Sequence, residues 1–210
     1  MPHEAAVVAG WVANALFFSR FLHQWIVSER AGRSLAPASF WWMSLCGSLL
    51  LAVYLLDAGE PVLLVGVAIN SAVYARNLWA MRRPSFQGMA PLPMAVLSVL
   101  AVVVLFATGF VKTRAGLTEN PGWLAASVVG QGLWSSRFVL QWSATERHGK
   151  SHFPVSFWWL SLLGNALLLA YAIHRRDPIL IAGYLPGPIT QTRNLVLSRR
   201  AARAAARGTA

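Results

Sequence analysis

Arg20 to Ser44 reads RFLHQWIVSERAGRSLAPASFWWMS, and 117 positions later Arg137 to Ser161 reads RFVLQWSATERHGKSHFPVSFWWLS. Carried from Arg20 to Leu78 without a gap, this register matches roughly 25 of 59 positions identically, which marks an internal repeat. The matches fall on Arg, Gln, Glu, Pro and paired Trp, residues that an apolar chain does not share by chance. Two halves of the chain are copies of one unit.

Around these stretches the chain is apolar. Of its 210 residues 56% are hydrophobic and 12% charged, with a mean hydropathy of +0.51, whereas about a quarter of a soluble domain is charged. This composition predicts an integral membrane protein. The net charge is +11, but Lys and Arg fall in short clusters between apolar runs, as topology signals do, so no nucleic acid partner is expected. Cys46 is the sole cysteine, which excludes an internal disulfide, and no His or Cys spacing suits a metal. Met1-Pro2-His3-Glu4 lacks the basic start of a signal peptide, so the first apolar run is expected to stay as a span.

Spans are predicted at about Ala5 to Ser28, Pro37 to Leu56 and Pro61 to Trp79, each near the roughly 20 residues needed to cross a bilayer. Pro37 and Pro154 sit where a helix start tolerates proline. A linker from Pro84 to Pro93 precedes a featureless apolar helix at about Pro91 to Val111. The second unit repeats the plan at Gly122 to Thr145, Pro154 to Ile173 and Pro178 to Ser198. Its last span carries Pro186-Gly187-Pro188, which should break or kink the helix and serve as a hinge beside Pro37 and Pro154. The expected domains are 5–80, the linker and fourth helix at 81–115, 122–198, and a basic tail at 199–210.

The expected fold is an all-α membrane protein of seven transmembrane helices, three plus one plus three. An odd connecting helix restores direction, which makes the repeats parallel. With the N-terminus outside, ten Lys and Arg residues of the loops and tail fall inside and four outside, which favours an outer N-terminus and a cytoplasmic C-terminus.

The combination RFxxQW, ERxGRS or ERHGKS, PxSFWWxSLxG and the closing Arg76-Asn77-Leu78 and Arg193-Asn194-Leu195 resembles the lipid A biosynthesis N-terminal domain family. That module is found fused ahead of some lipid-A-disaccharide synthases and also free-standing. The family is grouped with the SWEET and PQ-loop transporters, and the resemblance implies the same doubled three-helix layout and a transport path between the bundles. The chain has no Pro-Gln dipeptide; Pro37 and Pro154 are its paired prolines.

Arg20 and Gln24, like Arg137 and Gln141, stand at i and i+4 on one helix face. An arginine inside a span costs about 2.5 to 3.5 kcal/mol on insertion scales, so it turns to the bundle interior or a wet cavity. Two uses are open. The side chain could snorkel to the headgroups or pair with Glu29. Alternatively, Arg20 and Arg137 offer planar donor forks to a phosphate, with Gln24 and Gln141 beside them and with Arg76-Asn77 and Arg193-Asn194 at the same level. Trp41, Trp42, Trp158 and Trp159 suit an interfacial belt or an aromatic gate. Asn70, Asn165 and Gln191 differ between the copies.

No Ser-His-Asp order, glycine-rich phosphate loop or nucleotide-binding strand pattern is present, so neither catalytic residue nor cofactor is expected. With the resemblance, these residues imply a transporter or flippase for an anionic sugar-bearing membrane lipid, such as a polyprenyl-phosphate sugar or a lipid A-related precursor. A SWEET-like carrier of a small soluble sugar is one alternative. A non-transporting anchor or activator of a glycosyltransferase is the other.

Overall fold

A computed structural model describes residues 2–31, 37–82, 120–148 and 154–206. These residues are helical, with short turns and, among the described residues, no strand. The helices are α1 (His3–Ala31), α2 (Ala38–Ala58), α3 (Pro61–Arg82), α4 (Pro121–His148), α5 (Val155–His174), α6 (Pro178–Tyr184) and α7 (Gly187–Ala206). The chain divides into two compact units, Met1–Asn120 and Pro121–Ala210.

Among the described residues, four stretches are long and apolar enough to cross a membrane: His3–Val27, Ala38–Ala58, Pro61–Trp79 and Val155–His174. Helix α4 has the length, 28 residues, but Gln131, Ser135, Ser136 and Arg137 dilute its apolar character. The last helix of the second unit is divided between α6 and α7. The span expected at 91–111, the linker before it and the charged loops at 32–36 and 149–153 lie outside the described residues.

The second helix is the middle of each unit. Helix α2 packs against both α1 and α3, and α5 against α4, α6 and α7. The buried positions of α2 include Trp41, Ser44, Gly47 and Ser48, and those of α5 include Phe157, Ser161, Gly164 and Asn165. Small residues on these faces let helices approach closely, as membrane helices do in place of a hydrophobic drive. At the far end of the first unit, His3 Nδ1 lies 2.6 Å from Asp57 Oδ2 and ties the start of α1 to the end of α2.

Both units begin the middle helix on a proline. Pro37 (φ −67°, ψ 163°) and Pro154 (φ −67°, ψ 157°) are extended N-cap residues, each one position ahead of its helix. The middle helices end in matching turns as well. Gly59 takes a left-handed φ of 71°, and Arg176, its counterpart, keeps φ at 52° despite its side chain. The repeat therefore preserves a backbone shape where the sequence has changed.

Burial differs from that of a soluble protein on both sides of an apolar core that includes Leu55, Leu63 and Leu168. Trp11, Phe18, Leu49, Leu163 and Ile173 are exposed, while Arg20, Ser48, Asn70, Gln131, Arg137 and Asn165 are buried. Polar side chains thus sit inside beside the apolar core while large apolar ones also face outward, an arrangement that hydrocarbon solvent favours.

Candidate functional site

Arg20 is 7% exposed. Its position at the middle of α1 turns it toward α2, where Ser44 accepts a hydrogen bond from Nη1 at 2.7 Å. The same nitrogen reaches Tyr74 Oη on α3 at 3.4 Å. Since α1 and α3 flank α2, this one guanidinium links all three helices of the unit. It is also ringed by aromatic faces: its Cζ lies 4.7 Å from the Phe17 centroid, 4.9 Å from Phe21, 5.3 Å from Phe40 and 5.7 Å from Tyr74. The Ser44 hydroxyl donates to the Phe40 carbonyl at 2.6 Å, which leaves its lone pairs to face the arginine.

Among the described residues, the neighbours of Arg20 are hydroxyls and rings, and its buried Nε has no hydrogen-bond partner. Aromatic faces stabilise a cation by about 0.5 to 2 kcal/mol each. Removing a charge from water costs several kcal/mol, which only well-placed counter-charge and hydrogen bonds offset. The described side chains of the cage are themselves neutral.

The second unit repeats this cage. Arg137 is 6% exposed, and its Cζ lies 3.4 Å from the Trp134 centroid, 4.7 Å from Phe138 and 5.8 Å from Phe157. These rings occupy the positions of Phe17, Phe21 and Phe40. Ser161 donates to the Phe157 carbonyl at 2.7 Å, as Ser44 does to that of Phe40. The fourth ring is absent, because Gln191 stands where the first unit has Tyr74. With its nitrogen as donor, the Gln191 amide reaches the carbonyls of Ser161 at 3.1 Å and Gly187 at 3.3 Å.

The other candidates are less alike. Gln24 and Gln141 are half-buried. Arg76 is half-buried with Nη1 3.4 Å from Asn77 Oδ1, whereas Arg193 is exposed and Asn194 donates to the Thr190 carbonyl at 2.8 Å. The four arginines thus divide into a buried pair, Arg20 and Arg137, and a more exposed pair. The tryptophans divide too, since neighbours on a helix point about 100° apart. Trp41 is 9% exposed and makes an edge contact with Phe40, as Trp158 does with Phe157. Trp42 and Trp159 point outward, at 45% and 38% exposed.

The break between α6 and α7 falls at Leu185-Pro186, where the sequence places Pro186-Gly187-Pro188. Asn165 of α5 donates to the Tyr184 carbonyl at 2.9 Å, filling a hydrogen bond that the interruption leaves open. The Asp177 carboxylate caps the short α6, accepting from the backbone N–H groups of Ile179 and Leu180 at 3.0 Å each.

The Lipid A Biosynthesis N-terminal domain matches residues 9–79 and 127–196, one match per unit, each containing one arginine cage. The chain belongs to this family. Among proteins similar to this family member is the lipid-A-disaccharide synthase of Chlamydia pneumoniae, 32% identical over 197 residues that cover 90% of this chain and 32% of that protein. That of Chlamydia felis is 29% identical over 202 residues, covering 90% and 32%. That of Chlamydia trachomatis serovar D is 27% identical over 216 residues, covering 92% and 34%. The chain spans about a third of the length of these curated relatives. No solved structure matches it.

Three parts of this family member's site escape a reading of repeated identities. Tyr74 is invisible because Gln191 replaces it. Phe17 and Trp134 lie upstream of the identical run, although both are aromatic at one register position. Arg82 lies over the Trp42 ring at 5.8 Å and Arg199 over Trp159 at 4.9 Å. These two arginines are also 117 positions apart, and carrying the register four residues past Leu78 would have found them.

Proposed function

We propose that this family member binds and translocates an anionic sugar-bearing lipid in a bacterial inner membrane, a polyprenyl-phosphate sugar or a lipid A-related precursor. The supporting observation is the buried Arg20 guanidinium, held by neutral hydroxyls and ring faces and repeated as Arg137. A buried cation in low dielectric favours an anion strongly, and the planar guanidinium fork matches two phosphate oxygens. Gln24 and Gln141, one turn further along the same helix faces, would donate neutral hydrogen bonds to the sugar-phosphate.

In this reading the chain crosses the membrane seven times as two parallel three-helix repeats about a connecting helix at 91–111, in the manner of SWEET carriers. The N-terminus is periplasmic and the C-terminus cytoplasmic. Motion of one repeat against the other moves the headgroup. The chain contributes binding and movement, and glycosyl transfer is done elsewhere.

The coverage of the relatives favours a second reading, in which the helices anchor or activate a glycosyltransferase of lipid A synthesis. One experiment separates the two: gentle extraction, native mass spectrometry of bound lipids, and comparison with R20Q/R137Q. Wild-type protein is expected to carry an anionic glycolipid that the double variant loses. Equal recovery of bulk phospholipid alone from both proteins would overturn the binding proposal and leave the anchor.

A further inference from the structure

The outward tryptophans and the arginines over them form a second repeated device, apart from the buried cages. Each pair joins the start of the unit's middle helix to its third helix: Trp42 of α2 to Arg82, the last residue of α3, and Trp159 of α5 to Arg199 of α7. All four side chains are exposed. The residues just before each arginine have diverged, Trp79-Ala80-Met81 against Val196-Leu197-Ser198, yet the arginine recurs in register.

We propose that Arg82 on Trp42 and Arg199 on Trp159 are two binding sites for the phosphate of anionic membrane lipids. A ring beneath a guanidinium takes up its face and leaves the in-plane N–H donors pointing outward, a geometry suited to two oxygens of one phosphate. The surroundings select a lipid over a free ion. Trp79 and Met81, 59% and 53% exposed, continue the apolar surface from Arg82, and Val196 is 42% exposed near Arg199. A phospholipid supplies the phosphate for the donors and acyl chains for this surface; inorganic phosphate supplies only the first. The location agrees, since Trp42 lies in the first turns of α2 and Arg82 at the end of α3, the level at which aromatic and basic side chains meet headgroups.

The test uses full-length protein in nanodiscs of phosphatidylcholine with a minority of phosphatidylglycerol, followed by native mass spectrometry of the retained lipids. Retained phosphatidylglycerol is expected to fall about fivefold per site in R82Q/R199Q, the scale of a basic residue's attraction at an anionic surface. W42L/W159L keeps the apolar bulk and is expected to lose a smaller but distinct share, because the guanidinium is no longer held. Unchanged retention in R82Q/R199Q, with helicity and monodispersity intact, would overturn the proposal. So would displacement of the lipid by millimolar inorganic phosphate, which would make the pairs a free-anion site. Co-purified glycolipid, read in the same spectra, reports on the buried cages independently, so either proposal can fail without the other.

Discussion

Asn165 fills the space that a side chain at position 187 would need: a β-carbon built on Gly187 would lie 2.5 Å from Asn165 Oδ1 and 2.7 Å from its Nδ2. In the first unit the corresponding positions are Ser48 and Asn70. Each unit thus carries one asparagine at this pair of register positions, on the middle helix in the second unit and on α3 in the first. In the second unit the amide holds the Tyr184 carbonyl at the helix break. In the unbroken α3 the buried Asn70 Oδ1 has no hydrogen-bond partner. Gly187→Ala is therefore expected to push Asn165 off Tyr184 and to destabilise the protein by about 1 to 3 kcal/mol, the range for overpacking plus a lost buried hydrogen bond. Thermal unfolding in detergent checks this. Adding Asn165→Ser should recover part of the loss, and no recovery would show that the clash lies elsewhere.

The hydroxyls around Arg20 give a second expectation. Hydrogen bonds to charged groups contribute about 1.5 to 3 kcal/mol. Ser44→Ala removes the 2.7 Å acceptor, whereas Tyr74→Phe removes the longer 3.4 Å contact but keeps the ring in the cage. Ser44→Ala should lower the unfolding temperature clearly, and Tyr74→Phe by less. Equal effects would mean that the 2.7 Å bond is no stronger than the contact across to α3. Arg20→Met, which replaces the cation by an apolar chain of similar length, should spare the fold more than Ser44→Ala does, since an apolar substitute for a buried charge is often neutral.

The short helix α6 offers a third test. Seven residues are too few to hold a helix by propagation, so its start depends on Asp177, which accepts two backbone N–H bonds, and on Pro178 at the first helical position. Asp177→Ala is expected to cost about 1 kcal/mol and Asp177→Asn a few tenths. Loss of amide exchange protection at Ile179 and Leu180, ahead of any change in α5, is the measurement that locates the effect. Uniform loss across the second unit would instead make Asp177 part of the general packing.

Much of this architecture was legible because the chain states it twice. The repeat, the apolar runs and the prolines foretold the helices, and Pro186-Gly187-Pro188 marked the break between α6 and α7. Whether Arg20 and Arg137 snorkel, pair with Glu29 or hold a phosphate was left open, because their depth suits each; both side chains are buried, with Phe17, Phe21 and Phe40 around the first, and the Glu29 side chain lies outside those described. Tyr74 and Gln191 show why the rest was hidden. Comparing copies reveals only what both kept, and the asymmetric parts of a site are what such a comparison discards.

Gly164 and Gly47 occupy the same register yet predict different outcomes. A β-carbon on Gly164 would lie 2.8 Å from the Trp134 backbone nitrogen and 2.9 Å from the Gly130 carbonyl oxygen. Backbone cannot rotate away, so Gly164→Ala should force α4 from α5, at about 1 to 3 kcal/mol. On Gly47 the nearest atom is Cε1 of the Phe17 ring, at 2.8 Å. A ring can turn, so Gly47→Ala should cost less than Gly164→Ala in thermal unfolding. The displaced ring, however, is one of the four around Arg20. Gly47→Ala should therefore disturb the cage more than the fold, and in the lipid co-purification assay it should reduce bound glycolipid while the unfolding temperature shifts little. A large drop in stability with unchanged lipid would show that Phe17 is fixed by the helix contact and contributes nothing to the cation's site.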